Sequence, residues 1–299
     1  MKKLFCIALL CLSLSSAKAQ KPIVVIQTDF GLKDGAVPAM KGVAAGVSAD
    51  LRIYDLTHEI PAYNVWEASY RLYQTIEYWP KGTVFVSVVD PGVGTARKSV
   101  VLQTKTGHFI VTPDNGTLTL VADAFGIAAL REIDEAVNRR LGSGSSYTFH
   151  GRDVYAYTAA RLASGLISFT EVGARLPDTV VRLPYQKAEL ENGMLYGSIP
   201  ILDIQYGNVW TNIDAELLKQ AGIRYGDHIK VRILSKGKTV YRGMVPFVET
   251  FGAAREGAPL AYLNSLMQLA FALNRGSFAD SFHIKSGQDW QVIIEKERK

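Results

Sequence analysis

Residues 83–97 read TVFVSVVDPGVGTAR, a run of β-branched and aromatic residues that stops at an acid, a proline and two glycines. Continuous apolarity over Thr83–Val89 suits a core strand buried on both faces. The polar stretch Asp90–Arg97 then sits at the strand end, where open parallel sheets place their ligands. Upstream, Pro22–Thr28 (PIVVIQT) reads as a second buried strand, closed by Asp29-Phe30-Gly31. A helix is expected next, with Pro38 in its first turn and Met40, Val43, Ala44 and Val47 on one face. Leu51–Leu56 is another strand. Asn64, with Glu67 three residues on, opens a helix whose buried face is Val65, Ala68, Leu72 and Ile76. Downstream, His108–Thr112 is a strand and Arg152–Ala163 a helix closed by Gly165. This alternation predicts an α/β N-terminal domain with a mostly parallel sheet over residues 20–184. From Ala188 the pattern changes. Ile229–Leu234 and Thr239–Val245 flank the turn Lys236-Gly237-Lys238, which predicts a smaller C-terminal antiparallel β domain, barrel-like, over 188–299. Arg182–Tyr185 is the expected linker.

Composition bounds the class. Of 299 residues, 48% are hydrophobic and 20% charged, which excludes a disordered or collagen-like chain. Residues 1–19 combine Lys2 and Lys3, an apolar run from Leu4 to about Leu14 and Ala17-Lys18-Ala19, the signature of a signal peptide cleaved near Ala19. The protein is thus expected to be exported, periplasmic or secreted. No later stretch is long and apolar enough to span a bilayer, so a soluble mature chain without a membrane partner is expected. Cleavage takes three lysines and no acid from a formal charge of +5, and the small remainder does not argue for a nucleic-acid partner. Both cysteines, Cys6 and Cys11, leave with the signal.

Four polar clusters end expected strands: Thr28–Gly31 with Asp34, Asp90–Arg97, Pro113–Gly116, and Phe149–Asp153. Asp29-Phe30-Gly31 and His150–Asp153 echo kinase signatures in reversed order, with neither glycine-rich loop nor strand lysine before them. Gly92-x-Gly94 lacks the third small residue of a dinucleotide loop, because Arg97 stands there. The five histidines have no paired ligand spacing, which argues against zinc. Asp90, Arg97 and His150 remain as an acid, a fixed cation and an imidazole able to orient and polarise water. The residues themselves leave open a simpler arrangement, an ion pair bracing the loop and His150 capping a helix. In the second half, Tyr206, Asn208 and Trp210 alternate. On an extended segment they would share a face and offer rings and an amide to a flat heterocycle, with Asp203 nearby. A half-buried aromatic edge strand accounts for the same pattern.

Taken in order, TDFG with Asp34, VVDPGVGTAR, PDNG, FHGRD, YGNVWTN and Tyr262–Ser265 resemble the S-adenosylmethionine (SAM) hydroxide adenosyltransferase family, relatives of the fluorinases and chlorinases. The likeness runs from about Pro22 to the C-terminus. It implies homotrimers that hold substrate between neighbouring subunits, with Asp90, Arg97 and His150 positioning water for attack on ribose C5′ of SAM. It further implies substrate contacts from Asp29, Asp34, Tyr63, Phe149, Gly151, Asp203, Tyr206, Asn208, Trp210 and Ser265, and chemistry that needs no cofactor or metal. Halogenating relatives carry a neutral residue where Asp90 stands, so the resemblance implies hydrolysis to adenosine and L-methionine. Leu266 and Leu273 depart from that pattern, occupying positions where halogenating relatives have arginines. A hydrolase of another exported nucleoside and a non-catalytic nucleoside-binding protein are the alternatives.

Overall fold

The structure is a computed structural model that describes residues 22–297, so the expected signal peptide lies outside the described residues. The first half forms β1 (Ile23–Thr28), α1 (Ala36–Val47), β2 (Arg52–Thr57), α2 (Val65–Thr75), β3 (Val84–Val88), β4 (Ser99–Thr104), β5 (Phe109–Pro113), α3 (Thr119–Phe125), β6 (Ile127–Glu132), α4 (Tyr157–Ala163) and β7 (Arg175–Leu176). Its strands make one 7-stranded sheet in the order β2-β1-β3-β5-β4-β6-β7. Strands β2, β1, β3 and β5 run parallel, whereas β4, β6 and β7 pair antiparallel. Alternate side chains explain the continuous apolarity. Val24, Ile26, Val84 and Val86 pack on one face with Met40 and Ala159, while Val25 and Phe85 pack on the other with Leu72 and Val121. Both faces are covered, so both sets must be apolar.

Strand β4 is one element that periodicity did not reveal. A tight turn, closed by Thr104 N–H to His108 O at 2.9 Å, joins it to β5. A connection so short permits only antiparallel pairing. Asn64 caps α2 as expected, accepting from Glu67 N–H at 3.1 Å. The helix expected over Arg152–Ala163 is not uniform. It opens as a π-helical stretch, Gly151–Ala156, and becomes α-helical at Tyr157.

The second half comprises β8 (Glu189–Glu191), β9 (Met194–Ile199), β10 (Ile201–Asp203), β11 (Asn208–Asp214), α5 (Ala215–Gln220), β12 (His228–Ser235), β13 (Lys238–Pro246), β14 (Pro259–Leu263), β15 (Gln268–Leu273), α6 (Phe278–Ser281) and β16 (Gly287–Lys296). The strands form two antiparallel sheets, β10-β11-β15-β14 and β13-β12-β16-β9-β8. They share one core, where Val209 and Phe271 of the first meet Leu195, Val231 and Val292 of the second. The segment around Arg182–Tyr185 is moored to the first half. Val181 N–H bonds Asp114 Oδ1 and Leu183 N–H bonds Thr119 Oγ1, both at 2.9 Å. Leu183 packs where a Cβ on Gly116 would stand, at 2.5 Å. Asn115 donates to Val89 O at 2.9 Å. The Pro113–Gly116 cluster therefore anchors the chain between the halves and the end of β3.

Candidate active site

Because β1 and β3 are parallel neighbours, their C-terminal ends lie side by side and present Asp29 and Asp90 at one edge of the sheet. Asp90 opens the turn that leads to Arg97, and that turn brings the guanidinium back onto its own carboxylate. Arg97 Nε lies 2.9 Å from Asp90 Oδ1, and Nη2 lies 2.5 Å from Oδ2. Both side chains are buried, at 5% exposure for Asp90 and 11% for Arg97. A bidentate, desolvated pair of this kind fixes the carboxylate in one orientation. Arg97 also donates to Ser99 Oγ at 2.9 Å, and Tyr155 O–H reaches Asp90 Oδ2 at 3.4 Å.

His150 arrives by another route. The cluster Phe149–Asp153 does not follow a strand end, as expected of all four clusters; residues 133–148 separate it from β6. That connection crosses the sheet edge and delivers two residues that the sequence did not single out, Glu135 and Arg139. Arg139 Nη2 lies 2.6 Å from Glu135 Oε2 and 3.3 Å from His150 Nε2. Glu135 in turn accepts from Ser99 Oγ at 3.2 Å. An i, i+4 acid–base spacing was their only signal, and no element pattern framed it. Burial lowers the pKa of His150, opposed by Glu135 and assisted by Arg97 and Arg139.

Asp90 and His150 line a cavity of about 270 Å³ together with Asp29, Tyr63, Phe149 and Gly151. Asp29 Oδ2 accepts from Tyr63 N–H at 2.8 Å, pinning Tyr63, a residue 73% exposed, in a left-handed conformation (φ 67°). Phe149 lies edge-on to Phe30 at 5.9 Å between centroids and carries the Arg152 guanidinium on its ring. A Cβ at Gly151 would come within 3.2 Å of Val88 Cγ1, so glycine lets the chain approach the cavity floor. Asp153 is a structural anchor, fully buried and bonded to Arg152 and Arg140.

The other expected contacts lie elsewhere. Asp34 is exposed at the start of α1, accepting from Ala36 N–H at 2.9 Å, and does not line this cavity. Asp203, Tyr206 and Asn208 line a second cavity of about 760 Å³ with Tyr262 and Arg275, and Asn208 donates to Asp203 at 3.0 Å. Tyr206, Asn208 and Trp210 do not share an extended face. Tyr206 stands in the β10–β11 turn, where Gly207 at φ 67° ends the extended conformation. Trp210 is packed with Leu260, Tyr262 and Ala270 and lines neither cavity, because its position on β11 points into that apolar cluster. Ser265 borders a third cavity, with Ile204, Glu67 and Arg71. Among the described residues, no three His, Cys, Asp or Glu side chains converge as a metal site.

Residues 24–173 match the SAM hydroxide adenosyltransferase N-terminal domain, and residues 197–291 match the C-terminal domain of the same family. The chain belongs to the SAM hydroxide adenosyltransferase family. Within that family it is 36% identical to an (R)-S-adenosyl-L-methionine hydrolase of Salinispora tropica over 275 residues, spanning 92% of this chain and 98% of the relative. It is 31% identical to a fluorinase of Nocardia brasiliensis over 306 residues, spanning 94% of this chain and all (100%) of the relative. An uncharacterized conserved protein from Thermotoga maritima superposes with a TM-score of 0.84 at 35% identity, covering 91% of this chain and 99% of the other. The family fold thus extends over both halves, and the Asp90 cavity lies within the part matched to its N-terminal domain.

Proposed function

We propose that this chain hydrolyses SAM, placing a water against ribose C5′ and releasing adenosine and L-methionine. The observation that carries the reading is the Asp90 carboxylate, clamped by Arg97 and facing the same small cavity as His150. As the C5′–O bond forms, the C5′–S bond breaks and its electron pair neutralises the sulfonium. Methionine therefore leaves as a neutral thioether and needs no general acid. The proton shed by the attacking water passes to Asp90 and then to solvent. What the site must supply is one water held in line, which a fixed carboxylate and imidazole do by orientation. A carboxylate at this position also repels a halide, which favours hydrolysis over halogenation. The 36% identity to a SAM hydrolase supports the same choice.

The proposed substrate site includes Asp203, Tyr206 and Asn208 from the neighbouring subunit of a homotrimer, which accounts for their lining a separate cavity within one chain. Incubating the purified protein with SAM should yield adenosine and methionine by chromatography, and Asp90→Asn should lower turnover by about 10²-fold or more. No adenosine from the wild type, or an unaffected Asp90→Asn variant, would sink the proposal. The signal-like residues 1–19 motivate a second reading, an exported hydrolase of another nucleoside. A nucleoside panel turning over faster than SAM would favour it, and adenosine binding without turnover would favour a non-catalytic role.

A further inference from the structure

Arg139 is held on three sides beside the candidate site. Its Nη2 donates to Glu135 Oε2 at 2.6 Å, its Nη1 reaches Ser146 O at 3.4 Å, and its guanidinium lies 4.7 Å from the Tyr147 ring centroid. The side chain is only 10% exposed. The same Nη2 stands 3.3 Å from His150 Nε2. A guanidinium has no lone pair to offer, so the only favourable contact is one in which Nε2 accepts. The imidazole proton must then sit on Nδ1, which is buried and has no partner within the protein.

We propose that Arg139, itself fixed by Glu135, is a positioning residue that locks His150 as the neutral Nδ1–H tautomer with Nε2 engaged, so that His150 shapes the cavity beside Asp90 and is not the base. This rests on the hydrolytic reading above and assigns the roles within it. Charge supports the arrangement. Asp90, Arg97, Glu135 and Arg139 already balance, and a proton on His150 would leave a net positive charge in a half-buried cluster. The groups facing the ring are Glu135 and Arg139 from the connection after β6, Asp90 and Arg97 from the turn after β3, and the rings of Tyr147 and Tyr155, each 6.4 Å from it. With Nε2 occupied by Arg139, the proton lost by water goes to Asp90. Water's O–H bond breaks as its oxygen bonds C5′, and the sulfur takes the electron pair of the broken C–S bond.

Neutron diffraction from perdeuterated crystals of the full protein reads the ring proton directly. Density on Nδ1 alone is expected, and density on Nε2 overturns the proposal. Kinetics supply the second arm. Without the guanidinium, Nε2 faces Glu135 and gains a proton near the ordinary histidine range. The imidazolium then formed beside Asp90 weakens that carboxylate as the acceptor of water's proton, so Arg139→Met should acquire an acid limb in kcat/KM, falling by up to about tenfold per pH unit, where the wild type stays level. Arg139→Lys, which still donates to Nε2, should keep the wild-type profile. An unchanged profile in Arg139→Met would overturn the assignment even if overall activity fell. Failure to hydrolyse SAM would refute the hydrolytic reading, while the ring-proton position would still decide the tautomer.

Discussion

Thr28 at the end of β1 is fully buried, yet its hydroxyl makes two bonds. It accepts from Phe30 N–H at 3.2 Å and meets His58 Nδ1 at 2.9 Å. His58 Nε2 continues to Asp55 at 2.9 Å, and Asp55 to Lys41 at 2.6 Å. This chain of bonds ties β1, β2 and α1 together beneath the turn that presents Asp29 and Phe30 to the cavity. Thr28→Val keeps the shape and strands the His58 nitrogen, an expected cost of about 1–3 kcal/mol and a fall in Tm of roughly 2–8 °C by calorimetry. Turnover should fall with it, since Asp29 loses its support. His150 gives a pH prediction. Its folded pKa lies below the ordinary value near 6.5, chiefly through burial. Below that value the unfolded chain binds a proton that the folded chain resists, so stability declines as pH falls toward the folded pKa. His150→Gln should flatten the fall of Tm between about pH 7 and pH 5. An identical slope in both proteins would show that the ring is not held neutral. At this scale the sequence exposed Asp90 and Arg97 because one turn carries both. It hid Glu135, Arg139 and Tyr155, whose importance comes from which groups they touch.

The β10–β11 hairpin carries Asp203 and Asn208, and its turn depends on one glycine. Gly207 has φ 67°, and a Cβ there would stand 1.9 Å from Ser277 Oγ and 3.0 Å from Ser277 Cα at the start of α6. Gly207 O also accepts from Ala279 N–H at 2.9 Å. Gly207→Ala must strain the turn and push α6 away, at a cost of about 1–3 kcal/mol from the backbone alone. A lower Tm and a KM raised more than kcat is lowered are expected from steady-state kinetics, because the hairpin lies outside the Asp90 cavity. Elements set by local chemistry were legible in this way. Asn64 with Glu67 marked the start of α2, and the apolar run before Asp90 marked β3. Strand β4 was not legible, because pairing with β5 and β6 makes it a strand. The opening of the last helix of the first half also escaped, since a π-helical turn leaves no periodic trace over six residues.

The two groups of expected substrate contacts line separate cavities of one chain, Asp29, Tyr63 and Asp90 in one, Asp203 and Asn208 in the other. If neighbouring copies complete each site, two inactive variants should rescue each other. Mixing Asp90→Ala and Asn208→Ala chains, unfolded together and refolded, should restore a measurable part of adenosine release. Each variant alone should stay inactive, and no recovery in the mixture would place the whole site within one copy. Alternating apolar strands, a capped helix and the acid–cation turn after β3 already implied an α/β sheet with chemistry at its edge, since those features depend on residues close in the chain. Folding alone decided that the connection after β6 returns to that edge, that Arg139 meets His150, that Pro113–Gly116 is a mooring and that Trp210 is core. Each depends on contacts between distant segments, whose partners are chosen by packing of the whole sheet and not by any pattern within the segment.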